Sequence, residues 1–333
     1  MPGIPNTLLT MQIQETNFGM YKQLCLINKE KKIRLCVLPE LGGMLQSLDI
    51  RRNKEWVPIL WTSEYPIEFI TKHLAAYSGS KLFPFPNRIN GGNYCFNNKK
   101  MQLPCNEPAF PHALHGLVYN KPFQIESSHQ ILKLTYRYDG EIEGYTFPYH
   151  LNISYIVQEN GITITSEVTN MGNTLMPVGD GWHPYISLGG KVDDWNLSLP
   201  GNKYYLTNEK YIPTQETALF PHKNNTLIGD IELNHCFEIH QPESDYCVTK
   251  ISNPNTGIGV EVWQKIGTAQ YNYVQYYIPK ERNCLAIEPM TCIPDAFNNK
   301  IGLILLTPGE SQNWMFGIKI IMRKPISMFS EVN

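Results

Sequence analysis

Four short segments of the chain set ionisable side chains among glycine, proline and aromatic residues, where functional loops and strand ends are commonly found. They are residues 82–89 (LFPFPNRI) with Arg88, 111–116 (PHALHG) with His115, 178–185 (VGDGWHPY) with His183, and 285–291 (LAIEPMT) with Glu288. The four named side chains offer a carboxylate, two imidazoles and a guanidinium. These groups suit proton transfer and the binding of polar ligands.

Glu288 is a candidate general base because it follows an apolar run and precedes a proline. A carboxylate at the end of a buried strand costs free energy unless it is paired or functional, and burial and neighbouring groups would tune its pKa. The alternative is a structural salt bridge, for which Arg88 is the candidate partner.

His183 could exchange a proton near neutral pH, although a structural role is the alternative. At a strand end, His183 and Gly181 would face one way and Asp180 and Trp182 the other. Gly181 would then leave open space beside the imidazole. Trp182 is expected to lie in the core.

Arg88 offers a planar fork of donors suited to hydroxyl or carboxylate groups, or to a structural ion pair. Two prolines exclude its segment, 82–89, from a central strand. His112 and His115 are three residues apart, but Pro111 and Gly116 favour a turn over a helix there. Each histidine could instead be an ordinary satisfied polar residue.

The elements that must position these groups are strands. Six β-rich runs stand out, several with alternating apolar residues: 33–38, 132–138, 151–157, 162–168, 259–263 and 318–322. Turn sequences such as ENG at 159–161 and NPNTG at 253–257 separate them. The pattern predicts an all-β protein, a large antiparallel β-sandwich, forming one domain over residues 1–333 with the first 30 or so least certain.

Charge and composition exclude several classes of function. The formal net charge is −2, and the densest basic cluster, KEKK at 29–32, reads as a solvated hairpin, so nucleic acid is not an expected partner. The sequence contains no apolar run long enough to cross a membrane, and its start does not resemble a secretory signal. The eight cysteines form no C-x-x-C pair. We therefore expect reduced cysteines and a cytoplasmic protein.

Taken in order, the four segments, with Gly91-Gly92 and PDAFN at 294–298, resemble the aldose 1-epimerase (galactose mutarotase) family over roughly residues 35–320. The resemblance implies the supersandwich fold of that family and interconversion of the α and β anomers of a free aldose. It implies Glu288 as base and His183 as acid. It also implies sugar binding by Arg88 and His115, and we add Asn87 beside the arginine.

One position departs from the family pattern. The family commonly has a sugar-binding aspartate in wording like L-D-x-x-F, whereas this chain reads Leu233-Asn234-His235-Cys236-Phe237. Asn234 can donate and accept but lacks the charged acceptor, so sugar preference could differ. Gln275 is a weaker match to another sugar-contacting position.

Anomer exchange removes a proton from the C1 hydroxyl and adds one to the ring oxygen, so two groups on opposite sides of the sugar could perform it. No cofactor or metal is required, and no G-x-G-x-x-G or Walker segment is present. The alternatives are a phosphosugar 1-epimerase on the same fold, a non-catalytic sugar-binding protein, a glycosidase using Asp180 or Asp295 beside Glu288, and a metal site built from His115, His183 and Glu288.

Overall fold

A computed structural model describes residues 11–28, 32–127, 131–222, 224–239 and 243–324. Each of the six β-rich runs lies in a strand, and the runs 33–38 and 132–138 coincide with strands Ile33–Leu38 and Leu132–Tyr138. The predicted antiparallel β architecture is confirmed, because every strand pairing within the described sheets is antiparallel.

The described strands, in chain order, are β1 (Gln12–Phe18), β2 (Tyr21–Asn28), β3 (Ile33–Leu38), β4 (Met44–Arg52), β5 (Glu55–Pro58), β6 (Lys81–Leu82), β7 (Arg88–Ile89), β8 (Asn93–Phe96), β9 (Lys99–Gln102), β10 (Ala113–Leu114), β11 (Gln124–Ser127), β12 (Leu132–Tyr138), β13 (Tyr149–Gln158), β14 (Gly161–Asn170), β15 (Met176–Val178), β16 (Gly181–Trp182), β17 (Tyr185–Ile186), β18 (Asn196–Ser198), β19 (Lys203–Thr207), β20 (Pro213–Leu219), β21 (Thr226–Leu227), β22 (Asn234–Glu238), β23 (Tyr246–Asn253), β24 (Ile258–Lys265), β25 (Tyr273–Tyr277), β26 (Leu285–Met290), β27 (Ile304–Leu306) and β28 (Ser311–Met322).

Helices are few and short in the described chain. They are Pro66–Glu68, which continues into a π-helical turn at Phe69–Leu74, the 3₁₀ turns Asn90–Gly92 and Val192–Asp194, and Ala296–Asn299. Within the described ranges, no helix is long and apolar enough to span a membrane.

Three large sheets make up the body of the protein. A five-stranded meander has the order β1-β2-β3-β4-β5, and a nine-stranded sheet has the order β11-β12-β13-β14-β28-β24-β23-β18-β21. The third sheet has eight strands, in the order β20-β19-β22-β25-β26-β16-β6, with β17 also paired to β26. The candidate base lies on β26, in the middle of this third sheet.

The core lies between these sheets. Along β14, residues 162, 164, 166, 168 and 170 are all buried, as the alternating pattern predicted. Trp182 of the eight-stranded sheet is fully buried, as expected, with its ring 5.7 Å from that of Phe316 on the nine-stranded sheet. One continuous cluster of buried apolar residues draws on all three sheets. It supports the single-domain prediction for residues 1–333, which stays a prediction.

The expectation that all cysteines are reduced is wrong for one pair. Cys25 on β2 and Cys36 on β3 lie directly opposite each other in the hairpin and form a disulfide. The other six cysteines are free, and four of them are buried. Because structural disulfides are rare in the cytosol of most organisms, this bond removes one support for a cytoplasmic location, which stays a prediction. Residues 29–31 of the predicted solvated hairpin lie outside the described residues.

Candidate functional site

Glu288 lies on β26, a strand on which every residue is buried. Its side chain is 3 % exposed, and Gln275 on β25 lies directly opposite it in the sheet. Oε2 of Glu288 is buried without a hydrogen-bond partner among the described residues. A carboxylate oxygen left in this state is costly, which favours a functional role over a purely structural one.

His183 follows the two-residue strand β16 and precedes Pro184. Its backbone N–H donates to the carbonyl of Ser80, and its own carbonyl accepts from the N–H of Gly79. The imidazole stacks on Tyr185, with ring centroids 4.8 Å apart. Backbone bonds and stacking therefore fix the ring in place, while its buried Nδ1 has no partner within the described chain.

The two candidate proton-transfer groups are in contact. Nε2 of His183 lies 3.4 Å from Oε1 of Glu288, so the expectation that they flank the sugar from opposite sides is wrong for this structure. The predicted open space beside His183 is also wrong, because a Cβ added to Gly181 would lie only 2.8 Å from Cβ of Pro86. The glycine is required by the close approach of Pro86.

Burial moves the pKa values of this pair in opposite directions. Desolvation raises the pKa of Glu288 well above its ordinary value, and the nearby charge of Arg88 offsets only part of that rise. Desolvation lowers the pKa of His183 to about 3. Burial thus drives both groups towards their neutral forms.

His115 and Asn87 hold each other in place. Both have left-handed backbone conformations, with φ of 61° and 58°, as residues of a tight turn do. The N–H of His115 donates to the carbonyl of Asn87 (2.9 Å), and the N–H of Asn87 donates to Nδ1 of His115 (3.3 Å). The segment 111–116 is not helical, but the turn predicted there is wrong in its centre, because Ala113–Leu114 pairs with β7 as strand β10. Gly116 has positive φ, and an added Cβ would lie 2.2 Å from the carbonyl oxygen of Phe83, so glycine is required there.

The bond from Asn87 determines which nitrogen of His115 carries hydrogen. An Nδ1 that accepts a hydrogen bond is unprotonated, so the neutral ring carries its hydrogen on Nε2. Desolvation, together with the charges of His183 and Arg88, lowers the pKa of His115 well below its ordinary value. The His115 ring lies 5.0 Å from that of His183. His115 is therefore a neutral donor adjoining His183 and Glu288.

Arg88 is not paired with Glu288, so the suggested Arg88–Glu288 salt bridge is wrong. Its partner is Glu107, which accepts from Nε (3.1 and 3.0 Å) and from Nη2 (2.7 Å). Nη1 donates to Oδ1 of Asn87 at 3.2 Å, and the ring of Tyr211 lies 5.0 Å from the guanidinium carbon. The charge of Arg88 is thus compensated beside the site.

Asn234 and Gln275 meet across neighbouring strands. Nε2 of Gln275 donates to Oδ1 of Asn234 at 3.0 Å, so the acceptor of the asparagine is occupied and its amide N–H groups remain for a ligand. Both side chains line a narrow, partly open cleft. The residues around this cleft are Asn87, Arg88, Tyr205, Thr207, Tyr211, Pro213, Asn234, Cys236, Gln275 and Pro294.

A buried ion pair supports the site from behind. Lys81 donates to Asp180 and, at 2.9 Å, to the hydroxyl of Ser166, while the hydroxyl of Tyr271 donates to Asp180 at 2.5 Å. The Asp180 N–H also donates to Oγ1 of Thr291. Both charged side chains are fully buried. This network ties the segment that carries His183 to the end of the strand that carries Glu288.

His115, His183 and Glu288 each offer a ligand atom within 4.8 Å of the others. The separation of 3.4 Å between His183 and Glu288 suits two ligands of one tetrahedral ion, since such ions bind at roughly 2.0–2.2 Å. The structure thus brings the three suggested metal ligands together.

Sequence reasoning missed Glu107, Lys81 and the tyrosines around the cleft. Glu107 belongs to no motif and lies in the loop between β9 and β10, so only the folded chain brings it to Arg88. Lys81 did carry a signal, since it stands directly before the apolar LFPF run at 82–85. A cation at such a position requires a buried anion.

A large antiparallel sandwich with a buried carboxylate–imidazole contact beside a small polar cleft is of the galactose mutarotase-like class. The family model for aldose 1-epimerase matches residues 23–319, and the chain therefore belongs to the aldose 1-epimerase family. It is 28 % identical to the uncharacterized protein YihR of Escherichia coli K12 over 251 residues, covering 73 % of this chain and 79 % of that protein.

Solved structures show the same fold. A galactose mutarotase-like protein from Clostridium acetobutylicum superposes with a TM-score of 0.81 at 19 % identity, covering 94 % of this chain and 99 % of that one. A galactose 1-epimerase from Lactobacillus acidophilus gives a TM-score of 0.75 at 15 % identity, covering 95 % and 100 %. The predicted galactose mutarotase-like supersandwich is confirmed.

Proposed function

We propose that this protein is an aldose 1-epimerase that interconverts the α and β anomers of a free monosaccharide, with Glu288 and His183 as its proton-transfer pair. The contact between Nε2 of His183 and Oε1 of Glu288 carries the proposal. The unpaired, buried Oε2 of Glu288 supports it, since a ligand hydroxyl would satisfy that atom.

The side-by-side arrangement suits the reaction. The C1 hydroxyl oxygen and the ring oxygen of an aldose are bonded to the same carbon, so a base and an acid one contact apart can reach both. A proton first crosses the 3.4 Å contact from Glu288 to His183, giving a carboxylate and an imidazolium. Glu288 then takes the C1 hydroxyl proton as His183 protonates the ring oxygen, and the bond between C1 and the ring oxygen breaks. Rotation about the C1–C2 bond and reversal of both transfers give the other anomer and return the pair to carboxylate and imidazolium.

Neighbouring groups position the sugar in this account. His115 donates from Nε2, Arg88 from its remaining N–H groups, and Asn234 and Gln275 line the cleft beside the carboxylate. Asn87 contributes by fixing His115 and Arg88. Each positioned acid or base contributes roughly 10²–10⁴-fold to the rate.

The pH profile should follow a pair that shares one proton. Because the pKa of His183 is lowered to about 3, activity should stay flat through pH 6.5, where an ordinary histidine titrates, and fall only at strongly acidic pH. On the alkaline side, activity should fall as Glu288, with its raised pKa, loses the shared proton. The measurement is kcat/KM against pH, with buffer-catalysed exchange subtracted.

The variant His183→Asn shows which limb of the pH profile belongs to His183. The variant should be strongly slowed, and its residual activity should lack the acidic limb. A wild-type limb near pH 6.5 that disappears in the variant would contradict the shared-proton account, because His183 would then titrate as an exposed histidine does.

Arg88→Ala should weaken sugar binding by roughly 1.5–3 kcal/mol, the value of a hydrogen bond from a charged donor. It should also lower the melting temperature, because Glu107 loses its counterion. The double variant Arg88→Ala/Glu107→Gln should recover the melting temperature but not the affinity. Calorimetric titration and thermal melting measure the two effects, and unchanged values of both would show that Arg88 has neither role.

The alternatives make different demands on the same residues. A glycosidase needs a second free carboxylate, but Asp180 is committed to Lys81, and Oδ1 of Asp295 accepts from Asn90 and Asn298. A phosphosugar epimerase needs uncompensated cations at the cleft. A non-catalytic sugar-binding protein would retain affinity without accelerating anomerisation.

The metal-dependent alternative draws support from the clustering of His115, His183 and Glu288. Metal-free acid–base exchange should be indifferent to EDTA. Activity lost in the chelator and restored by added metal would favour the metal site instead.

Polarimetry on freshly dissolved α-glucose, α-galactose and other aldoses tests the activity and names the preferred sugar. A cytoplasmic location and the absence of nucleic-acid or membrane partners remain part of this proposal.

A further inference from the structure

Glu107 is held firmly at the edge of the cleft. Its N–H donates to the carbonyl of His112, and neighbouring Asn106 exchanges two hydrogen bonds with Leu114. The Glu107 carboxylate grips Arg88 through three contacts of 2.7–3.1 Å, and its side chain is only 8 % exposed. Because these bonds fix the loop, the Arg88–Glu107 ion pair has a defined position in the site.

The pair leaves the cleft without a free positive charge. Arg88 is the only cationic side chain among the described residues that line it, and Glu107 compensates that charge. A guanidinium has five N–H donors, of which Glu107 and Asn87 take three. The remaining donors can serve a neutral hydroxyl, whereas a carboxylate or phosphate placed there would meet the negative charge of Glu107.

We propose that Glu107 is a specificity-determining residue that restricts the cleft to uncharged aldoses and rejects sugars that carry a carboxylate or phosphate. This inference rests on the proposed function for its ligand class. Glu107 lies outside every sequence motif, and its negative charge would explain why neutral sugars bind and anionic ones do not.

Glu107→Gln tests this proposal because glutamine keeps the shape and an acceptor for Arg88 but removes the opposing charge. The probes are D-galactose with D-galacturonate and D-glucose with D-glucuronate, which differ at C6 only. Dissociation constants come from calorimetry at low ionic strength. Glu261→Gln is the matched control, since it removes the same charge from an ion pair with Lys250 and Lys319 on the nine-stranded sheet.

We expect the wild type and the control to bind the neutral sugar at least tenfold more tightly than its uronate. Glu107→Gln should shrink that ratio by roughly tenfold or more, mainly through tighter uronate binding, because Arg88 then offers a charge-assisted bond. A wild type that binds uronate as well as the neutral sugar would overturn the proposal, whether or not the variant folds. So would a folded Glu107→Gln with an unchanged ratio.

The readout separates this proposal from the proposed function. Binding is measured without turnover, so a wild type that selects neutral sugars but does not accelerate anomerisation would refute the enzymatic activity and leave the role of Glu107 standing. The same comparison is made with the aldose that polarimetry shows to be preferred, and a wild type that binds no neutral aldose tested would overturn both proposals.

Discussion

Glu288→Gln should slow anomer exchange by roughly 10²-fold or more, because glutamine keeps the shape of the side chain but cannot accept and return a proton. Sugar affinity should change much less, since the amide still accepts and donates hydrogen bonds to hydroxyls. Polarimetric rates at saturating sugar, with calorimetric affinities beside them, measure the two effects. Near wild-type turnover would remove Glu288 from the mechanism.

The same variant should not lose stability. Burial raises the pKa of Glu288 above its unfolded value, so the contribution of this group to stability is fully present below the unfolded pKa and is lost as pH rises through the folded pKa. Glutamine does not titrate. At neutral and alkaline pH, the melting temperature of Glu288→Gln should therefore be no lower than that of the wild type. The difference in melting temperature in favour of the variant should grow as pH rises. A collapse of the melting temperature would mean that lost activity reflects unfolding.

Lys81→Met should destabilise the fold by about 3–5 kcal/mol, the cost of leaving one partner of a buried ion pair unpaired. Lys81 and Asp180 are fully buried. Methionine occupies much of the space of the lysine stem but leaves the carboxylate of Asp180 without its counterion. Burial already lowers the pKa of Lys81 to about 8, which shows how strongly the interior disfavours isolated charge. Urea unfolding at neutral pH measures the effect.

The double variant Lys81→Met/Asp180→Asn is the control for that experiment. Asparagine keeps the acceptor for the hydroxyl of Tyr271 but carries no charge, so much of the lost stability should return. A Lys81→Met protein as stable as the wild type would contradict the buried pair.

The strands could be predicted because each has a local pattern. The run 162–168 alternates, and the structure places its even-numbered residues in the core. The four motif segments could be predicted because proline, glycine and reactive groups stand together in them. The cross-strand disulfide could not, because Cys25 and Cys36 become neighbours only through the register of β2 and β3. The partners of the charged side chains, such as Glu107 for Arg88, could not be predicted for the same reason.

Distance along the chain explains the errors at the site. Arg88 finds Glu107 in a loop of no recognisable pattern, and sequence alone offered Glu288 instead. The space beside Gly181 is filled by Pro86, which comes from another of the four segments. Residue types indicated the chemistry, but which groups touch, and how burial shifts their pKa values, depended on tertiary packing.

We propose that this chain exchanges the anomers of a free sugar through Glu288 and His183. Exchange spectroscopy by NMR on aldoses already at anomeric equilibrium tests it most directly, since it reports ring opening and closure without net conversion. We predict that catalytic amounts of the wild type raise the exchange rate of at least one neutral aldose far above that in buffer, and that Glu288→Gln removes most of the increase. Exchange no faster than in buffer for every aldose tested would contradict the account.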